Sequence, residues 1–129
     1  MKRYFCTLFD SNYLIKGLTM INSLTKYCKE FEIYVLCIDH KTKNFLEKIN
    51  ISQVKCIDLY EVENESLLKA KKNRTKTEYC WTLASFFTWY LMKKFNDIDQ
   101  ITYLDADLLF YSSPNKIFKE IGNSSIAII

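Results

Sequence analysis

Four short apolar runs rich in β-forming residues recur along this chain, and each gives way to an acidic or polar residue. Residues 4–9 (Tyr-Phe-Cys-Thr-Leu-Phe) meet Asp10-Ser11-Asn12, residues 32–38 meet Asp39-His40, residues 54–59 alternate apolar and polar, and residues 101–104 meet Asp105-Ala106-Asp107. Runs of this length, bounded by turn formers, read as strands. Between them the apolar spacing changes to that of a helix. Leu14, Ile15, Leu18, Met20, Ile21 and Leu24 follow the first run, with Asp10 or Ser11 as cap, and Phe45, Leu46 and Ile49 follow the second. Strands that alternate with helices specify an α/β fold, Rossmann-like, with a mostly parallel sheet flanked by helices. Ser113-Pro114 opens a short helix, and residues 125–129 read as a fifth strand.

Composition narrows the functional classes. At 129 residues the chain is one domain, and a hydrophobic fraction of 49% excludes disorder. The balance of 18 basic against 15 acidic side chains, +3, is too small to point to nucleic acid, and none is expected as a partner. It does not repel an anionic small molecule. Five cysteines (Cys6, Cys28, Cys37, Cys56 and Cys80) lack any C-x-x-C spacing, and His40 is the one histidine, so a zinc site is not expected. The cysteines read as reduced thiols of a cytoplasmic protein. The apolar stretch after Lys2 and Arg3 is too short for a signal peptide, and no run reaches the length of a membrane span; peripheral membrane contact stays open.

Residues 61–76 are highly charged, with Lys69, Lys71, Lys72, Arg74 and Lys76 expected around a turn and on a solvated face. Thr75 and Glu78 have the spacing of a capping box for a helix over 79–95. Apolar side chains fall nearly all round that helix, which predicts deep burial, with Trp81, Phe86 and Trp89 in the core. The sequence ends on Ile126-Ala127-Ile128-Ile129. That ending suggests the N-terminal part of a longer protein, prone to self-association through the open edge of its last strand.

The most chemically specific segment is Tyr103-Leu104-Asp105-Ala106-Asp107-Leu108-Leu109-Phe110. Two aspartates one residue apart, just past a buried strand, stand at the carboxyl edge of the sheet, where open α/β sheets bind ligands. On an extended backbone residues i and i+2 share a side. Two carboxylates so placed form a hard-oxygen site for Mg²⁺ or Mn²⁺, with phosphate and water completing the shell. The plainer alternative is a pair of solvated turn aspartates.

This segment resembles the D-x-D segment of GT-A type glycosyltransferases, the nucleotide-diphospho-sugar transferases, and is similar to the glycogenin and lipopolysaccharide galactosyltransferase group. Residues 7–13 (Thr-Leu-Phe-Asp-Ser-Asn-Tyr) resemble that group's first-strand loop that holds the nucleotide base, and residues 74–82 resemble a basic segment leading into a buried helix in bacterial nucleotide-diphospho-sugar transferases. The resemblance implies a metal-dependent transferase that moves a sugar from a nucleotide-diphospho-sugar, with a UDP-sugar as the first choice, to an unknown acceptor. Residues 1–129 would be its nucleotide-sugar-binding part, without the acceptor-binding part. Asp105 and Asp107 would hold Mn²⁺ or Mg²⁺. Thr7, Asn12 and Tyr13 would line the nucleoside pocket, and Asp39 would face the base or ribose. Arg74 and Lys76 would meet the phosphates or the sugar, and Asp105 and Ala106 would border the donor. Asn12 and Asp39 have an alternative as cap or turn residues, and Tyr13 as a packing residue. Two other functional classes stand beside this one: a metal-dependent phosphotransfer or phosphatase-like domain, with Asp10 as an acid ending the first strand, and a nucleotide-sugar-binding fragment without turnover.

Overall fold

The computed structural model describes residues 1–128. Four strands, β1 (Arg3–Phe9), β2 (Phe31–Cys37), β3 (Val54–Asp58) and β4 (Ile101–Tyr103), form one sheet in the order β3-β2-β1-β4, every neighbouring pair parallel. Helices α1 (Leu14–Tyr27), α2 (His40–Ile49), α3 (Leu59–Val62), α4 (Glu65–Lys72), α5 (Lys76–Lys94) and α6 (Asn115–Ile121) make the connections and the C-terminal segment. The α/β, mostly parallel architecture expected from the alternation of patterns is thus the observed one.

Strand periodicity divides the core into two layers. Phe5 and Phe9 of β1 with Ile33, Val35 and Cys37 of β2 pack under Met20, Ile21 and Leu24 of α1 and Leu46 of α2. Cys6, Tyr34, Leu36 and Ile57 face the other way, against Leu83, Phe87 and Leu91 of α5. Gly17 is where α1 crosses β1 most closely: a Cβ at that position would lie 2.4 Å from the Phe9 ring. All five cysteines are free, and no helix is long and apolar enough to cross a membrane among the described residues.

Three expectations are corrected. Helix α5 is not buried all round. Tyr79, Leu83, Phe87 and Leu91 form its sheet-facing stripe at spacings of four, whereas Trp81 and Trp89 are 68% and 53% exposed and Phe86 is half-buried. A helix laid on one face of a sheet buries one stripe, and apolar residues elsewhere on its circumference do not change that. The charged stretch is not simply a turn: Leu67, buried under α4, and Val62, buried under α3, anchor two short helices there. Residues 125–128 are exposed and form no strand, and Ile129 lies outside the described residues. β-Branched composition makes a strand only where a neighbouring edge is in register, and these residues pair with none.

Candidate functional site

The sheet order creates the site. The chain runs outward from β1 through β2 to β3, then returns to the opposite side of β1 to form β4. The strand order thus reverses between β1 and β4, the place where open α/β sheets bind ligands beyond the carboxyl ends of their strands. A cavity of about 470 Å³ lies there, within the roughly 300–1,000 Å³ typical of small-molecule sites. Leu8, Phe9 and Ile38 supply its apolar surface, the turn after β1 contributes Asp10, Asn12 and Tyr13, the first turns of α5 contribute Lys76, Thr77, Cys80 and Trp81, and the end of β4 contributes Tyr103, Asp105, Ala106 and Asp107.

Local hydrogen bonds hold each wall. Asp10 accepts from the Asn12 N–H at 3.0 Å and caps the helical turn Ser11–Tyr13. Its other oxygen binds the Lys76 ammonium at 2.7 Å, tying the turn after β1 to the start of α5. Burial pushes the Asp10 carboxyl up, but Lys76 and the N–H groups of Asn12 and Tyr13 outweigh it and hold the group below its usual value. Lys76 is raised in turn by its bond to Asp10 and stays cationic. The start of α5 is fixed by the reciprocal capping box expected from the sequence: the Thr75 N–H donates to Glu78 at 2.7 Å, and the Glu78 N–H donates to Thr75 Oγ1 at 3.2 Å. On the third wall, burial and then the Asp105 carboxylate raise the Tyr103 phenol, which therefore remains neutral.

Asp105 and Asp107 lie past the end of β4, so turn geometry rather than strand alternation brings them together. Leu104 N–H donates to the Cys6 carbonyl at 2.8 Å, which carries the parallel pairing up to the turn, and Leu108 N–H closes it on the Asp105 carbonyl at 3.3 Å. Ala106 is buried in the core between them, leaving both carboxylates exposed at the cavity. Among the described residues neither joins an ion pair, and no cluster of three or more His, Cys, Asp or Glu is placed to hold a metal. Two free hard-oxygen ligands facing a cavity fit a divalent cation whose remaining ligands come from a phosphate-bearing molecule, and do not fit a closed structural metal site.

Of the residues singled out in the sequence, Asn12, Tyr13, Lys76, Asp105, Ala106 and Asp107 border this cavity. Thr7 does not: its position on β1 is shared with Phe5 and Phe9, and its side chain is completely buried with Oγ1 unpartnered. Asp39 is not on the wall either. It caps α2 by accepting the Thr42 N–H at 2.8 Å, and its other oxygen accepts the Ser11 N–H at 2.9 Å, so it braces the turn that presents Asn12 and Tyr13. Burial raises the Asp39 carboxyl, yet these N–H donors hold it well below the carboxylate range. Arg74 lies outside the lining and donates to Thr82 Oγ1 at 2.6 Å. Sequence reasoning missed Cys80, Trp81 and Tyr103 as wall residues. Their signal was position, in the first turns of a helix following a basic segment and at the last residue of a strand. It also missed the pairing of Asp10 with Lys76, 66 residues apart, which sequence alone does not encode.

The fold that carries this cavity has counterparts among known proteins. The model of glycosyl transferase family 8 matches residues 6–127. The chain is 39% identical over 123 residues to the uncharacterized protein YfnD of Bacillus subtilis (strain 168), covering 95% of this chain and 40% of that protein. It thus spans about two fifths of the length of that curated relative. Among solved structures, the galactosyltransferase LgtC, in complex with donor and acceptor sugar analogs, superposes with a TM-score of 0.60 at 16% identity, over 89% of this chain and 41% of that one. The glycosyltransferase GlyE of Streptococcus pneumoniae TIGR4 does so with a TM-score of 0.58 at 20% identity, over 92% and 26%. At these identities the likeness is one of fold.

Proposed function

We propose that this chain, which belongs to glycosyl transferase family 8, forms the donor-binding part of a metal-dependent transferase that moves a sugar from a nucleotide-diphospho-sugar to an acceptor. The observation that supports this most is the meeting of two unpaired carboxylates, Asp105 and Asp107, with a cationic Lys76 around one cavity at the carboxyl edge of the sheet. A diphosphate needs both kinds of partner. Lys76 would meet its oxygens directly, and Asp105 and Asp107 would hold a divalent cation, Mn²⁺ or Mg²⁺, at the same cavity. That cation would supply Lewis-acid stabilisation of the leaving diphosphate.

The remaining roles follow from the walls. Asn12 and Tyr13 take the nucleoside, with uridine preferred, on a turn that Asp39 braces. Ala106, buried between the two carboxylates, would border the donor there. As the bond from the sugar to the diphosphate breaks, negative charge grows on the leaving oxygens, and fixed cationic charge stabilises it without a proton donor. Capture of Asp10 by Lys76 disfavours the phosphotransfer alternative, which needs a free acid at the end of the first strand. Five unpaired cysteines suit a reducing compartment, the cytoplasm.

The test is thermal unfolding of the chain with UDP, with Mn²⁺, and with both. Ligand that binds only the folded state raises the melting temperature. The reading expects a clear rise with both together and little with either alone. No rise in any combination would overturn it.

A further inference from the structure

Two tryptophans of α5 are exposed, for different reasons. Trp89 packs its ring against Phe86, with centroids 5.2 Å apart. Trp81 is 68% exposed and borders the cavity, five residues beyond Lys76 and next to Cys80 in the chain. It is absent from the aromatic pairs and from both core clusters among the described residues. A large flat apolar ring held at the rim of a polar site, with two rotatable side-chain bonds to immobilise, is suited to stacking against a ligand.

We propose that Trp81 is a specificity-determining residue that stacks on the hexosyl ring of the donor. The inference rests on the donor-binding reading above. A diphosphate held between Lys76 and the two carboxylates projects one organic group to each side, and two exposed aromatics border the cavity, Tyr13 and Trp81. Tyr13 shares its turn with Asn12, on the side taken for the nucleoside, which leaves Trp81 for the sugar. The C–H face of a pyranose is apolar and lies flat against an indole, while its hydroxyl edge stays in water. Because Trp81 is mostly exposed, its removal should change the ligand and spare the fold.

The experiment compares UDP with UDP-glucose and UDP-galactose, each with Mn²⁺, by calorimetry on the parent chain, Trp81→Ala and Trp81→Phe. The expected result is that Trp81→Ala weakens at least one UDP-hexose by about tenfold, the scale of one aromatic stacking contact. UDP affinity should change by less than about twofold, and Trp81→Phe should recover much of the loss. In a Trp89→Phe background, Trp81 becomes the one indole, and its fluorescence should respond to the UDP-hexose and not to UDP. Equal weakening of UDP and UDP-hexose would overturn the proposal by making Trp81 a base-stacking residue. Unchanged affinity for all three ligands would overturn it while leaving the donor site intact. A parent chain that binds none of them would overturn the donor-binding reading itself, and this inference with it.

Discussion

Replacing Gly17 by alanine tests how the fold positions the floor of the cavity. Gly17 lies on the buried face of α1, and an added Cβ would stand 2.4, 2.5 and 2.8 Å from three atoms of the Phe9 ring. Phe9 is itself 3% exposed at the end of β1 and borders the cavity, so its ring can yield to an added Cβ only by shifting toward that cavity. Overpacking of this kind costs about 1–3 kcal/mol, and a contact this short belongs at the upper end. Alanine offsets about 1 kcal/mol of that through its better helix propensity. The net loss is about 2 kcal/mol, a fall in Tm of roughly 5–10 °C for a domain of this size. Thermal unfolding followed by circular dichroism measures it. Phe9→Leu in the same chain should recover part of the loss, giving a coupling of about 1 kcal/mol in a double-mutant cycle. The variant should also bind UDP and Mn²⁺ less well than its residual stability explains, because Phe9 would be pushed toward the cavity. A Gly17→Ala chain that melts at or above the parent temperature would refute this reasoning.

Other variants separate the core from the site. Phe87→Ala, at a fully buried position, should lose about 3–5 kcal/mol, whereas Trp89→Ala on the outer side of α5 should lose far less, as read from denaturant midpoints. The Asp39 carboxyl is held low in the folded state, so its contribution is complete above its unfolded value near pH 3.9 and is lost as pH falls toward the lower folded value. Asp39→Asn should therefore flatten the acid limb of the stability curve below about pH 4, and an unchanged limb would count against the bracing role. Lys76→Met should leave the melting temperature close to that of the parent, because the ion pair with Asp10 ends on an exposed ammonium, yet weaken UDP binding in calorimetry.

How much was legible beforehand differs by kind of information. Strand and helix patterning gave the layers because β1 and β2 are buried on both faces and read as continuous apolar runs, and because Thr75 and Glu78 form a purely local device. The outward face of α5 was not legible, since Trp81, Trp89 and Met92 have the same composition as core residues and only the sheet beneath decides which stripe is covered. The apolar end of the chain misled for a related reason, as a strand depends on an edge to pair with. In the site, the Asp105 and Asp107 pair stood out because adjacent positions share one turn. Thr7 and Asp39 were harder: one residue of strand parity turns Thr7 into the core, and Asp39 directs both oxygens to backbone N–H groups. The link between Asp10 and Lys76 is a product of topology, made when α5 packs beside β1.

The proposed function requires that Asp105 and Asp107 hold a divalent cation only together with a nucleoside diphosphate. Isothermal calorimetry of Mn²⁺ binding, with and without UDP, on the parent chain, Asp105→Asn and Asp107→Asn tests it most directly. Two carboxylates are a thin ligand set, so Mn²⁺ alone should bind weakly and UDP should tighten it by about tenfold or more. Each asparagine variant should lose that coupling while keeping the parent melting temperature, because both carboxylates are exposed and unpaired among the described residues. Tight Mn²⁺ binding without UDP, or coupling that survives both substitutions, would contradict the account.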